Sequence, residues 1–328
     1  MKHLLLSIAA SAALAIPAAA QQGAPTGSLI ERGQGAPGSS ETIGYAPDSG
    51  QRMTVEVSIG GRGPYRFIVD TGAERTVISS ELARTLGLGS GGDVTLASVS
   101  QISRVPSVMI PELEIGRRTI ADIQAPALAE RNIGAHGMLG VDSLRLQRVV
   151  FDFTRRELTL SSSHIDDDRF APGEIVVRGR TRLGRLLLTN AFLDGQRITV
   201  IVDTGSQITI GNAALRRRLE RARRLRNVRV LSLTGVTGDL VSADYTVAQR
   251  LQVGGVHIND FPIAFSEVRL FELLDLGNRP AILLGMDALR LFDRVSIDFA
   301  NRRVRLAPPT SQADRPVRMA AAAPLRAR

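Results

Sequence analysis

The chain has 328 residues, a formal net charge of +9 and 44% apolar residues, so about two domains with a sizeable core are available. Cysteine is absent. That excludes disulfides, thiolate metal sites and a cysteine nucleophile, and leaves an oxidising compartment open.

The chain opens with Met1-Lys2-His3, an apolar run from Leu4 to Ile16, and Ala18-Ala19-Ala20. A positive start, an apolar middle and small residues before a cut are the three parts of a secretory signal. The run is too short to span a bilayer comfortably. Residues 1–20 are therefore expected to be a signal peptide cut after Ala20, giving a periplasmic or secreted protein. Residues 21–50 are rich in Gly, Pro and Ser, which predicts a flexible leader, a tether rather than an inhibitory propeptide.

A first lobe is expected over 51–163. Met53 to Ile59 alternates, Gly60-Gly61-Arg62-Gly63 turns, and Pro64-Tyr65-Arg66 leads into Phe67-Ile68-Val69-Asp70-Thr71-Gly72-Ala73. The β-branched apolar run reads as a buried strand, and the glycine ends it in a tight turn. An Asp ending a buried strand is costly unless the fold needs it there. The Gly60–Gly63 run precedes a strand and lacks the Lys-Ser/Thr ending, so it is not a phosphate loop. Further on, Ser80 is expected to cap a helix from Glu81 to Leu86, stopped by Gly87. Val94 to Ser100 and Val105 to Ile110 read as a hairpin.

A polar linker is expected over 164–173. It holds His164 and Asp166-Asp167-Asp168, without companion ligands at usable spacing, so no metal is assigned. His136 and His257 read as surface or core fillers.

A second lobe is expected over 174–307, because the first is written again. Leu186-Leu187-Leu188 and a turn at Asp194-Gly195 lead into Val200-Ile201-Val202-Asp203-Thr204-Gly205-Ser206. Gly137-Met138-Leu139-Gly140-Val141-Asp142 is matched by Ile282-Leu283-Leu284-Gly285-Met286-Asp287, and Val150-Phe151-Asp152-Phe153 by Ser296-Ile297-Asp298-Phe299. A repeat this long is a duplicated lobe, not a solenoid unit. Asn212 is expected to cap a helix from Ala213 that carries Arg216, Arg217, Arg218, Arg221, Arg223, Arg224 and Arg226. Lys2 is the only lysine, so the arginine bias is global. A solvated face is the first reading of this helix, with an anionic membrane contact left open. Nucleic acid is disfavoured, since no aromatics are interleaved. Thr234, Gly235, Val236, Thr237 and Gly238 lie in a Gly-punctuated hairpin turn, the candidate flap. Residues 308–328 show no folding pattern and read as a disordered tail.

At the two Asp-Thr-Gly segments and at Leu284-Gly285-Met286-Asp287 the chain resembles the retropepsin-like aspartic peptidases, especially bacterial ones, over roughly Met53 to Leu306. The resemblance implies an all-β bilobal fold in which the two loops meet at a pseudo-twofold axis within one chain, so that no homodimer is needed. It implies an aspartic endopeptidase acting on polypeptides without a cofactor, with Asp70 and Asp203 catalytic. Thr71 and Thr204 would each bond the opposite loop, and Gly72, Ala73, Gly205 and Ser206 would shape the site. Like charges a few ångströms apart cannot both ionise cheaply, so one carboxyl would keep a proton. The Ser206 hydroxyl is expected to donate to Asp203, making Asp203 the ionised member. Two departures stand out. Val141 and Met286 replace the arginine that pairs with an acid near the loop in retroviral enzymes, leaving Glu74 with only Arg75 adjacent. The first hairpin lacks glycine, so a single flap, Thr234 to Leu240, is expected to cover the cleft. The rivals are a silent binding module of the same fold and an envelope-docking protein using its arginine-rich helix.

Overall fold

The computed structural model describes residues 5–7, 40–99, 102–144, 147–162, 174–309 and 317–318. The rest of the signal segment, residues 21–39 of the leader, the linker 164–173 and most of the tail lie outside the described residues. Leu5–Ser7 pairs in parallel with Arg229–Thr234, and Val317–Arg318 with Val256–Phe265.

The apolar runs before each Asp-Thr-Gly do form buried strands, Arg62–Val69 and Gln196–Val202. Each lies between the same two neighbours. Met53–Ile59 runs antiparallel and Gly137–Leu139 parallel to the first. Arg185–Leu193 and Ala281–Leu284 do the same for the second. The parallel partner then pairs antiparallel with a short strand past the loop, Val77–Ser79 or Ile210–Gly211. Phe67, Ile68, Val69, Val200 and Ile201 are all fully buried, as continuous apolar strands covered on both faces should be. The protein is an all-β fold of two like lobes.

The lobes are joined by a sheet that both build. Its strands run in the order Glu41–Gly44, Glu157–Ser162, Gln147–Asp152, Arg294–Asp298, Arg303–Ala307, Ile175–Arg182. At the seam Arg148 opposes Asp298 and Asp152 opposes Arg294, two opposite-charge pairs related by the pseudo-twofold. Such cross-strand neighbours favour this register over a slipped one.

The leader expectation needs correcting at this sheet. Glu41–Gly44 pairs with Glu157–Ser162, and Ala46–Pro47 pairs with Met53–Ile59. This is the first strand of lobe one, the counterpart of Ile175–Arg182, which likewise pairs with the last strand of its lobe and with Arg185–Leu193. Asp48 accepts from the Gly50 and Arg52 amides at 2.9 and 2.7 Å. Polar, Gly-containing composition suggests a tether, but long-range pairing overrides it. The helix Ser80–Leu86 is capped by Ser79 rather than Ser80, its hydroxyl accepting from Leu82 N–H at 3.0 Å. Asn212 caps Ala213–Arg221 as its sequence suggests, accepting from Leu215 N–H at 2.9 Å. That helix stops at Arg221, so Arg223, Arg224 and Arg226 lie in the segment beyond it.

Candidate active site

Each Asp-Thr-Gly leaves its strand at the same point of the sheet. Asp70 N–H donates to the Leu139 carbonyl at 3.0 Å and Asp203 N–H to that of Leu284 at 3.1 Å. Each loop then folds back on its own carboxylate. Gly72 and Ala73 amides donate to Asp70 Oδ1 at 2.8 and 2.9 Å. Gly205 and Ser206 amides donate to Asp203 Oδ1 at 3.0 and 3.1 Å.

The loops meet through their threonines. Thr71 N–H donates to Thr204 Oγ1 at 3.0 Å, and Thr204 N–H to Thr71 Oγ1 at 3.1 Å. Each hydroxyl in turn donates to the strand end of the other lobe, Thr71 to Val202 O at 3.0 Å and Thr204 to Val69 O at 2.7 Å. Both threonines are buried. Two glycines bring the carboxylates together: a Cβ on Gly72 would lie 2.4 Å from an Asp203 carboxylate oxygen, and one on Gly205 would lie 2.2 Å from Asp70 Oδ2. No other residue fits at either position.

Asp70 is 0% exposed and Asp203 1%. Burial first, then the charge of Asp70, pushes Asp203 well above the usual carboxylate range. The Gly205 amide, Arg185 and the Ser206 amide pull only partly against this. Charging both carboxylates in so dry a place is costly. The expected donation of the Ser206 hydroxyl to Asp203 is corrected. The Ser206 hydroxyl donates to the Ile208 carbonyl at 2.7 Å instead, where it closes the turn and is unavailable to the carboxylate.

A residue not singled out from the sequence lies beneath the dyad. Arg185 is 0% exposed. Its Nε donates to the Gly72 carbonyl at 2.7 Å and its Nη1 to Leu183 O at 3.2 Å. Burial presses its pKa down. Glu74, Asp70 and Asp203 oppose that, Glu74 most strongly. Arg185 from the opposite lobe is thus the cation facing Glu74, while Val141 and Met286 are core residues. Arg52 and Arg185 stand at the same offset before their aspartates, which was the available signal.

The Gly-x-Asp segments also acquire a role. Asp142 Oδ1 accepts from Thr76 Oγ1 at 2.8 Å, and both its oxygens lie 2.9 Å from Thr76 N. Asp287 accepts from Thr209 N–H at 3.0 Å and from its hydroxyl at 2.8 Å. The threonine hydroxyls accept in turn from Gly140 and Gly285 amides at 3.2 and 3.1 Å. Each buried carboxylate pins the strand that follows its loop. A Cβ on Gly140 would lie 2.4 Å from the Arg75 backbone, and one on Gly285 2.5 Å from Ile208 O, so the glycines permit this crossing. Burial raises both aspartates, Asp287 to about 6.

Two hairpins reach across to the opposite lobe, not one. The flap turn Gly235–Asp239 is held by Gly235 N–H to Asp239 O at 2.8 Å and Gly238 N–H to Gly235 O at 2.9 Å. Its Val236 is fully buried, packed among Ile68, Val77, Leu96, Met138 and Ile133 of lobe one. The first hairpin, Ser90–Ala97 with Ile102–Ile115, does the reverse. Ala97 and Val99 are fully buried among Ile210, Leu233, Leu270 and Leu283 of lobe two, and Val99 O accepts from Arg269 N–H at 2.8 Å. The expectation of a single covering flap gives way because an apolar tip needs neither glycine nor an aromatic ring to seat in the other lobe.

Two like lobes, each ending a buried strand in Asp-Thr-Gly and locked loop to loop by threonines, define an acid-protease-type bilobal protein. Comparison with family models agrees. The gag-polyprotein putative aspartyl protease model matches residues 55–146 and the aspartyl protease model residues 189–288, together more than half of the chain. The chain belongs to the retropepsin-like aspartyl protease family, with the protease domain present twice. Comparison with curated proteins gives no match.

Proposed function

We propose that the protein is an aspartic endopeptidase whose dyad is Asp70 and Asp203, one from each lobe of a single chain. A water between the carboxyls loses a proton to Asp70, and the resulting hydroxide bonds to the scissile carbonyl carbon. The Asp203 proton passes to the carbonyl oxygen, giving a gem-diol. Asp70 then returns its proton to the amide nitrogen and the C–N bond breaks. A diol hydroxyl gives its proton back to Asp203 as the carboxylic acid forms. One proton is shared throughout, as coupled carboxyls require.

The observation that carries this reading is the mutual placement of the carboxyls. Each is pressed against the other loop's glycine, and Asp203 is raised by burial and by Asp70. The family membership supports peptide hydrolysis in general. Because one chain supplies both aspartates, the unit of function is a monomer. The amino-terminal pattern supports export, with a cut after Ala20.

The test is cleavage of an unfolded protein by purified wild type, Asp70→Asn and Asp203→Asn. Each substitution is expected to lower the rate on the order of 10³-fold or more, without loss of fold by circular dichroism. A folded variant that keeps wild-type turnover refutes the assignment.

A further inference from the structure

The helix Ala213–Arg221 and the segment that joins it to the strand Arg229–Thr234 form a cationic surface on lobe two, remote in character from the closed dyad. Arg217, Arg218, Arg221, Arg223, Arg224, Arg226 and Arg229 are all exposed. Two acids lie nearby, Glu220 and Asp244, and a single residue engages both. Arg216 reaches Glu220 at 2.7 Å and Asp244 at 2.8 Å. No ion pair is recorded among the described residues for any of the seven exposed arginines. Among the described residues, only Arg224 of the seven has a side-chain hydrogen bond, to Gln249 Oε1 at 3.3 Å. Elsewhere exposed arginines do find acids, as in Arg104 with Asp93 and Arg155 with Asp152. The positive charge here is therefore local as well as global.

The second feature is apolar. Val228 and Val230 alternate with Arg229 and are 44% and 73% exposed, and Val247 on the neighbouring strand is 49% exposed. Arg229 stands opposite Tyr245 in the register, and Val230 opposite Asp244, so Val228 and Val230 share one face of the strand pair and Arg229 shares the other with Val247. Val230 is the most exposed large apolar side chain among the described residues.

We propose that this surface docks the protein on an anionic lipid bilayer. Guanidiniums meet the lipid phosphates, and Val228 and Val230, on the face where Arg216 reaches Asp244, enter the headgroup boundary. Charge alone would suit a nucleic acid equally well, but single-stranded recognition uses stacking faces, and aliphatic side chains interleave these arginines. The same strand leads on to Val236, so a docked bilayer lies beside the hairpin that closes lobe one.

The test is sedimentation of the full chain with vesicles of phosphatidylglycerol in phosphatidylcholine and with phosphatidylcholine alone. Each surface cation contributes about fivefold to partitioning. Arg217→Gln, Arg221→Gln and Arg226→Gln together should weaken binding about 100-fold. A control of equal charge on lobe one (Arg66→Gln, Arg84→Gln, Arg131→Gln) should leave binding close to wild type. Val230→Ser should weaken it severalfold, and raising salt to about 0.5 M should release the protein. The proposal is overturned if wild type binds neutral vesicles as well as anionic ones, or neither, or if the control triple loses as much as the patch triple. It is likewise overturned if Val230→Ser binds like wild type, or if a single-stranded oligonucleotide binds the patch more tightly than the vesicles do. Binding is read without turnover, so failure here leaves the peptidase reading standing, and failure there leaves this one.

Discussion

Arg185 Nε and the Gly72 carbonyl oxygen lie 2.7 Å apart, and this bond breaks the pseudo-twofold. Its counterpart, Arg52, stays within lobe one, ion-paired with Asp48 at 2.6 Å and donating to Ile133 O at 2.7 Å. The acid Glu74 is matched in lobe two by the neutral Gln207. One loop of the dyad is therefore held by a buried cation of the other lobe, and its partner is not. A cation favours the charged form of nearby carboxyls, so its removal raises their pKa values. Arg185→Met is expected to shift the whole pH–rate profile to higher pH. It should also destabilise the fold by about 3–5 kcal/mol, because Glu74 and the dyad are left without their countercharge. Arg185→Lys keeps the charge and should restore the profile's position while remaining less stable. A merely structural arginine would leave the pH profile of the folded Met variant unmoved.

The threonine exchange couples the lobes at their most buried point. Thr71→Ala removes the hydroxyl that donates to Val202 O and accepts from Thr204 N–H, leaving both groups buried and unsatisfied. The expected cost is about 1–3 kcal/mol for each orphaned group, read as a lower urea midpoint. Thr71→Ser retains the hydroxyl and should recover most of the loss. Thr71→Ala with Thr204→Ala should cost less than the sum of the single changes, since the two residues share bonds.

Much of this was legible in the sequence, because the informative features are local. A β-branched run ending in Asp-Thr-Gly, written twice with matching hairpins, specifies its own strand and turn, and the Thr71 and Thr204 hydroxyls lie where the resemblance put them. What escaped depends on distant partners. Arg185 heads an apolar strand and gains its role only from Gly72, far off in sequence. The strand Glu41–Gly44 has too few residues to show alternation and exists by pairing with Glu157–Ser162. Val99 reads as an ordinary strand residue until the other lobe buries it. Ser206 lies in the loop after Asp203, but a hydroxyl rotates to whichever acceptor is nearer in the turn, here Ile208 O.

The correction at the leader has a direct consequence. A chain beginning at Gln51 lacks the strand that pairs with Glu157–Ser162. It also lacks Asp48, the acid partner of Arg52, whose side chain is 3% exposed. Leaving that arginine buried without its acid is expected to cost about 3–5 kcal/mol. A chain beginning at Ser40 keeps both features. Urea unfolding of the two truncated forms should differ by that amount, and equal midpoints would show that the strand adds nothing.

Asp287 makes stability depend on pH. Its folded pKa is about 6, against the ordinary 3.8, so between these values the folded state holds a proton that the unfolded state has released. Stability then falls as pH rises through this window and is flat above it. The loss is up to ~3 kcal/mol. Asp287→Asn does not titrate. It is expected to be less stable at acid pH, since its amide faces the Thr209 N–H, yet to show a shallower slope there by about one proton. Urea midpoints of both proteins across this range give the slopes, and parallel slopes would mean that Asp287 is already ionised at acid pH.

The carboxyls are 0% and 1% exposed, so turnover is predicted to need the hairpin tips that seat in the opposite lobes to withdraw. The contact between Gly238 and Asn132 offers a lock, since a Cβ on Gly238 would lie 3.0 Å from Asn132 Nδ2. The chain has no cysteine of its own, so Asn132→Cys with Gly238→Cys places a single thiol pair between flap and lobe one. Cysteine at Gly238 carries some strain at φ 84°, which the single variant Gly238→Cys controls for. Oxidised, the double variant should lose peptidase activity at least tenfold, on the order of the bound and unbound populations a closed lid separates, and reductant should restore it. The single variant should not respond to redox state. If the oxidised pair, with its disulfide verified by mass, cleaves as fast as the reduced one, substrate reaches Asp70 and Asp203 without moving this tip.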